Sequence, residues 1–269
     1  MGLRVAILDM NNRVANKGLG YLRAIVQNYS EITVADVFDV RAANELPDTS
    51  YDLYLSSGGP GSPYELESWS VGYFGLIDQL VAYNRTHVRK KYMFFICHSF
   101  QLACMHFRVG QLTERHIMSF GVHPVFKTDN SQQDDIFSKL PDPFYVADFR
   151  YWQVVQPDQA RIAALGAKVL AIEQPQGERE RALMAIRFTD EMLGTQFHPE
   201  ADAPGMLQYL HEDDRRFKIV EEYGEEGYRS MLQHVSDPEH IALTSRTVLP
   251  MFIARCILQL RAEQVGTLK

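Results

Sequence analysis

Apolar residues in the first hundred positions fall alternately into strand-length runs and helical stripes. The run at 3–8 (Leu3, Val5, Ala6, Ile7 and Leu8 around a single Arg4) ends at Asp9 and predicts a strand. A polar loop with Asn11, Asn12, Asn16 and Gly18 follows. Beyond it Leu19, Leu22, Ile25, Val26 and Tyr29 share one face of a predicted helix. Residues 32–38, 51–55 and 92–96 read as further strands, separated by a helix over 70–83 and followed by another over 99–107.

Strands alternating with amphipathic helices predict an α/β fold of flavodoxin-like, doubly wound type: a mostly parallel sheet with helices on both faces. Sheets of this kind bind ligands beyond the carboxyl ends of their strands. The middle of the chain is less regular. It suggests short strands at 125–127, 144–146 and 153–155, a helix over 158–165 stopped by Gly166, and a strand at 168–172. A hairpin of 182–188 with 193–197 follows. After Pro204 the pattern turns helical and charged, the acid-rich part reading as a solvated helical face. The last segment carries Leu249, Phe252, Ile253, Cys256, Ile257 and Leu260 as one helical stripe, with Pro250 placed in its first turn. Residues 1–200 are thus expected to form one α/β domain. Residues 201–269 are expected to form a helical extension packed on that domain or on a second subunit, as in a homodimer.

Composition narrows the functional classes. The 34 acidic against 27 basic side chains of the 269-residue chain leave a formal charge of −7, which argues against a broad nucleic-acid-binding face. No stretch is expected to reach the roughly 20 apolar residues that span a bilayer, and the amino terminus does not read as a signal peptide. The three cysteines, Cys97, Cys104 and Cys256, show no CxxC spacing. They suggest neither a disulfide framework nor a zinc site, and a reducing cytoplasm is the expected location.

Three segments carry candidate chemistry. Cys97 sits where an apolar strand meets a helix, the setting of a nucleophile elbow, with the helix amino terminus favouring a thiolate. A buried structural cysteine is the alternative. Gly58-Gly59-Pro60-Gly61 follows a strand, either as a tight turn or as half of an oxyanion hole completed by the backbone N–H of His98. In Gln196-Phe197-His198-Pro199-Glu200, the proline keeps His198 extended, so that Glu200 can accept from one imidazole nitrogen while the other faces the sheet edge. A surface His-Pro turn is the alternative. A metal site built on His198 and Glu200 lacks further ligands, and no cofactor is expected. Cys104 and Cys256 read as core residues, and His116 and His123 as surface or core histidines unless they line the pocket.

Taken together, Gly58-Gly59-Pro60-Gly61-Ser62-Pro63, the Ile96-Cys97 turn with Gln101 four residues on, and Gly194-Thr195-Gln196-Phe197-His198-Pro199-Glu200 resemble the class I, triad-type glutamine amidotransferase family. Within it the chain looks like the stand-alone glutaminase module associated with GMP synthase, over residues 3–200. The resemblance implies that Cys97 attacks the side-chain amide of glutamine, that His198 serves as base and then acid, and that Glu200 orients it. It further implies that the N–H groups of Gly59 and His98 hold the oxyanion and that Gln101 positions the substrate. Since no synthetase-sized second domain is read in the chain, the resemblance implies either that ammonia passes to a separate synthase subunit or that the chain serves as a free-standing amidase. The chain departs from the family motif at three positions: Phe95 and Ser99 stand where the family has glycine, and Phe100 where it has histidine. Phe95 therefore demands a local rearrangement. Two other activities fit the same residues: hydrolysis of a γ-glutamyl amide larger than glutamine, and a silent metabolite-binding homologue.

Overall fold

The computed structural model describes residues 2–266 apart from positions 176, 178, 179 and 238. In chain order the elements are β1 (Leu3–Asp9), α1 (Gly18–Gln27), β2 (Ile32–Asp39), α2 (Val40–Ala43), β3 (Leu53–Ser56), α3 (Ser68–Thr86), β4 (Tyr92–Ile96) and α4 (His98–Phe107). The second half adds β5 (Gln111–Lys127), β6 (Phe144–Val155), α5 (Gln159–Leu165), β7 (Lys168–Glu173), β8 (Leu183–Arg187) and β9 (Met192–Thr195). Three helices follow: α6 (Ala203–Leu210), α7 (Asp213–Ser236) and α8 (Ile241–Gly266).

All nine strands join one sheet in the order β2-β1-β3-β4-β9-β8-β7-β5-β6. The first five are parallel, in the doubly wound order expected. From β9 outward the pairing is antiparallel, so the sheet is mixed. The inner parallel strands β3, β4 and β9 are buried at every residue because helices cover both faces, whereas the edge strand β2 has no buried residue. One face packs Leu3, Val5, Ile7, Leu55, Phe94 and Ile96 against α1 and α8, with Leu249, Phe252, Ile253, Cys256 and Leu260 filling the layer. The other packs Leu8, Tyr54, Met93 and Phe95 against Tyr73, Ile77 and Leu80 of α3 and Phe100, Cys104 and Phe107 of α4. A third cluster joins Phe120, Val122 and Ala147 of the antiparallel wing to α6 and α7.

The structure corrects three expectations. The short strands at 125–127, 144–146 and 153–155 belong to two long antiparallel strands, β5 and β6. Their apolar pattern is broken because Asp148 and Arg150 are buried on β6, paired with each other and with Glu173 rather than with water. Pro250 lies inside α8, which starts nine residues earlier at Ile241, and not in a first turn. Helix α8 is also long and apolar enough, by length and composition, to cross a membrane. Its stripe is nevertheless buried as one of the two helical layers on the sheet, the place an apolar helix also takes in a protein core.

Candidate active site

The strand order lines up four loops along one edge of the sheet. Because β1, β3, β4 and β9 are neighbours in parallel register, with Leu8 beside Ser56, Ser56 beside Phe95 and Ile96 beside Thr195, the chain leaves all four strands on the same side. The segments starting at Met10, Ser57, Cys97 and Gln196 therefore meet there.

Cys97 occupies the turn between β4 and α4 with φ 49° and ψ −102°, a left-handed conformation that a non-glycine residue holds only when its surroundings enforce it. Four hydrogen bonds do so. The Cys97 N–H donates to the Thr195 carbonyl at 2.8 Å, and the Gln101 N–H donates to the Cys97 carbonyl at 3.0 Å. The Ser99 hydroxyl accepts from the Ile96 N–H at 2.9 Å, and it lies 2.8 Å from the Ser56 carbonyl, a bond that ties the elbow to the end of β3. The thiol points toward the Phe149 carbonyl, with Sγ to O 3.7 Å, and receives the Gln196 side-chain N–H at 3.7 Å.

His198 Nδ1 lies 2.8 Å from Glu200 Oε1. The other face of the pair meets the cysteine across Gly58: a Cβ on that glycine would lie 2.8 Å from His198 Cε1 and 3.5 Å from Cys97 Cβ. Burial lowers the His198 pKa, but the Glu200 carboxylate and the hydrogen-bonded Cys97 thiol outweigh it and raise the value well above the ordinary imidazole range. The second Glu200 oxygen is buried and unpaired. The structure thus brings together the sulfur, imidazole and carboxylate singled out in the sequence.

The remaining expected residues fall as follows. Gly59 lines the cavity, and its missing Cβ leaves room for the Met10 carbonyl, which a side chain would approach to 2.2 Å. His98 is buried with neither ring nitrogen paired, and burial, with Arg41 nearby, pushes its pKa down to about 3, so the ring stays neutral. Gln101 stands behind the thiol rather than on the cavity wall. Its amide N–H donates to the Trp152 carbonyl at 3.1 Å and to Gln196 Oε1 at 3.2 Å. Among the described residues no cluster of three or more His, Cys, Asp or Glu is placed to hold a metal ion. His123 is bonded to the Phe120 carbonyl and, like His116, stands outside the cavity. Cys104 and Cys256 are buried free thiols in the two cores.

Phe95 does not close the site. It points into the core beneath α4, edge-on to Phe188 at 5.8 Å, and its neighbour on β9 is Gly194. A Cβ on Gly194 would lie 2.8 Å from Phe100 and 3.2 Å from both Phe95 and Phe188, so this glycine makes the space the two extra phenylalanines need.

The cavity has a volume of about 590 Å³. Sequence reasoning missed much of its wall: Asn11 to Gly18 of the β1–α1 loop, Phe149 of β6, and Met206, Tyr209, Glu212 and Arg215 from α6 and the start of α7. The first of these follows a strand at the carboxyl edge and so carried a positional signal. The others reach the site only through the packing of the antiparallel wing. Phe149 contacts the His198 ring at 5.7 Å and Tyr209 at 5.4 Å.

The fold is a mixed α/β sheet that carries a strained cysteine elbow and a His–Glu pair at its carboxyl edge. A family model, glutamine amidotransferase class-I, matches residues 14–211, so the chain belongs to the class I glutamine amidotransferase family. That family's chemistry is the hydrolysis of glutamine amides. No curated protein matches the chain. Among solved structures the chain is similar to a glutamine amidotransferase (tm1158) from Thermotoga maritima, with 16% identity and a TM-score of 0.64 over 96% of this chain and 99% of that one. It is also similar to a provisionally named GMP synthase subunit protein (ta0944m) from Thermoplasma acidophilum, with 16% identity and a TM-score of 0.53 over 87% and 94%. A third likeness is to the glutaminase domain of Trypanosoma brucei CTPS with bound acivicin, with 15% identity and a TM-score of 0.54 over 76% and 89%. At these identities the structures share the fold.

Proposed function

We propose that the chain is a glutaminase in which Cys97, His198 and Glu200 form the catalytic triad. The observation that carries this reading is the meeting of the Cys97 and His198 side chains across Gly58, with Glu200 2.8 Å behind the ring. The thiolate attacks the amide carbon of glutamine, and His198 donates a proton to the departing ammonia, leaving a γ-glutamyl thioester. His198 then takes a proton from water, whose oxygen displaces the sulfur and gives glutamate. The N–H groups of Gly59 and His98 serve the tetrahedral oxyanion. Gln101, its side-chain N–H bonded to Gln196 and to Trp152, acts by fixing the wall behind the sulfur. Lys17, Glu212 and Arg215 are half-exposed on the cavity wall and offer both charges to a zwitterionic amino-acid head.

Ammonia is handed to a separate synthase subunit. This rests on family membership and on the likeness to the GMP synthase subunit protein. In this reading residues 1–200 supply the chemistry, while α6 and the start of α7 complete the pocket and α8 completes the core. The free thiols support a cytoplasmic setting. One observation favours a second reading, a γ-glutamyl amide hydrolase: the cavity falls in the roughly 300–1,000 Å³ range of sites that enclose drug-sized ligands, ample for a substrate larger than glutamine.

Ammonia release from glutamine and amine release from γ-glutamyl amides, with Cys97→Ala as control, separate the readings. His198→Ala is expected to lose about 10⁴-fold in rate, while Glu200→Ala keeps weak activity. Release only from larger amides establishes the second reading. No release from either, together with no labelling of Cys97 by an electrophilic glutamine analogue, would show a silent binding protein.

A further inference from the structure

We infer that Arg41, a buried arginine outside the triad, is the positioning residue that holds the oxyanion loop in place, an inference that rests on the triad reading above. Arg41 lies on α2, a one-turn helix just past the carboxyl end of β2, capped by the Asp39 carboxylate accepting from the Ala42 N–H at 3.0 Å. From there its side chain runs beneath the loops at the active edge. Its Nη1 donates to two backbone carbonyls, Pro60 at 2.5 Å and Met10 at 3.3 Å.

Those two carbonyls belong to the loops that bracket Gly59. The Pro60 carbonyl is one residue beyond it, and the Met10 carbonyl is the group on which Gly59 rests with no room for a Cβ. The Met10 N–H in turn donates to the Ser57 hydroxyl at 2.9 Å. The β1–α1 loop and the 58–61 loop are therefore pinned to each other on both sides of the expected oxyanion donor, with one guanidinium as the shared anchor. Gly61, at φ 91°, makes the turn that brings the Pro60 carbonyl back over it.

The charge has a consequence as well. Arg41 is almost fully buried, and no carboxylate among the described residues pairs with it within ion-pair distance; Glu65 and Glu67 act on it only from farther away. Its ring contact is Trp69, 5.5 Å from the guanidinium carbon. His98, which bears the second expected oxyanion donor, lies close enough to feel that cation and is itself neutral. A buried, weakly compensated positive charge thus stands under the loop that carries the Gly59 donor. Fixed charge of that sign is worth most where negative charge develops in a low-dielectric site.

The test uses the full chain and three measurements: steady-state turnover on the substrate found active, iodoacetamide alkylation of Cys97, and the thermal midpoint. Arg41→Gln is expected to lower kcat by about tenfold to a hundredfold, below the 10²–10³ cost of deleting an oxyanion donor outright, with KM within a factor of two. Alkylation, which needs the thiol and imidazole but no oxyanion site, should continue at the wild-type rate. Arg41→Lys, which keeps the charge and one donor, should recover part of kcat. An unchanged kcat in Arg41→Gln overturns the proposal. So does a parallel fall of kcat, alkylation and thermal midpoint in both variants, since that is the pattern of general loosening. If the wild-type chain neither turns over glutamine or any γ-glutamyl amide nor is labelled at Cys97 by an electrophilic glutamine analogue, the triad reading fails first and takes this inference with it.

Discussion

His198 carries the sharpest consequence of a single environment. Burial alone would discharge the ring, yet Glu200 and Cys97 hold its proton on more firmly than water does. A group whose folded-state pKa is raised stabilises the fold fully below its unfolded value of about 6.5 and loses that contribution as pH rises through the folded value. The stability difference between wild type and His198→Gln should therefore be largest near pH 6 and shrink toward pH 9. Urea midpoints of the two proteins across that range measure it; a difference that stays constant or grows would contradict the pairing. Much of this was legible in sequence, because His-Pro-Glu places an acceptor two residues from the ring. The opposing thiol was not, since it lies a hundred residues away and meets the ring only because β4 and β9 are neighbours.

Strands β4 and β9 also show how a departure from a motif is absorbed. Phe95 and Phe100 add bulk where the family has smaller or polar groups, and the pairing of Phe95 with Gly194 supplies the space. Both residues were visible in the chain, but their compensation was not, because a register is a relation between strands. Gly194→Ala should destabilise the protein by about 1–3 kcal/mol, the cost of overpacking a dense core, read by denaturant unfolding. An unchanged midpoint would mean that Phe100 moves aside freely. The same limit explains β5 and β6. Their buried charges satisfy one another in the fold, so the apolar alternation that marks a strand in sequence was missing there.

The whole molecule depends on α8 more than a terminal appendage would. Phe252 packs edge-on to Phe94 of β4 at 5.1 Å, and the helix shares its layer with α1 over the parallel sheet. Phe252→Ala should cost about 3–5 kcal/mol, seen as a lowered thermal midpoint. A loss below about 1 kcal/mol, outside that range, would show that the sheet face is closed without it. Because Phe94 is three residues before Cys97, the layer also backs the strand that presents the elbow.

What the amino-acid order determined by itself was local: runs that make strands, stripes that make helices, the glycine loop, the cysteine at a strand-to-helix turn and the His-Pro-Glu segment. These follow from the conformations and hydrogen bonds open to a few adjacent residues. The tertiary structure alone decided that α8 is a core layer, that Gln101 faces Gln196, that α6 and α7 wall the cavity, and that Arg41 lies under the 58–61 loop. Each of these is a contact between segments far apart in the chain. Such contacts are set by which faces must be buried together and which buried polar groups can satisfy one another, and neither condition is written in any short stretch of sequence.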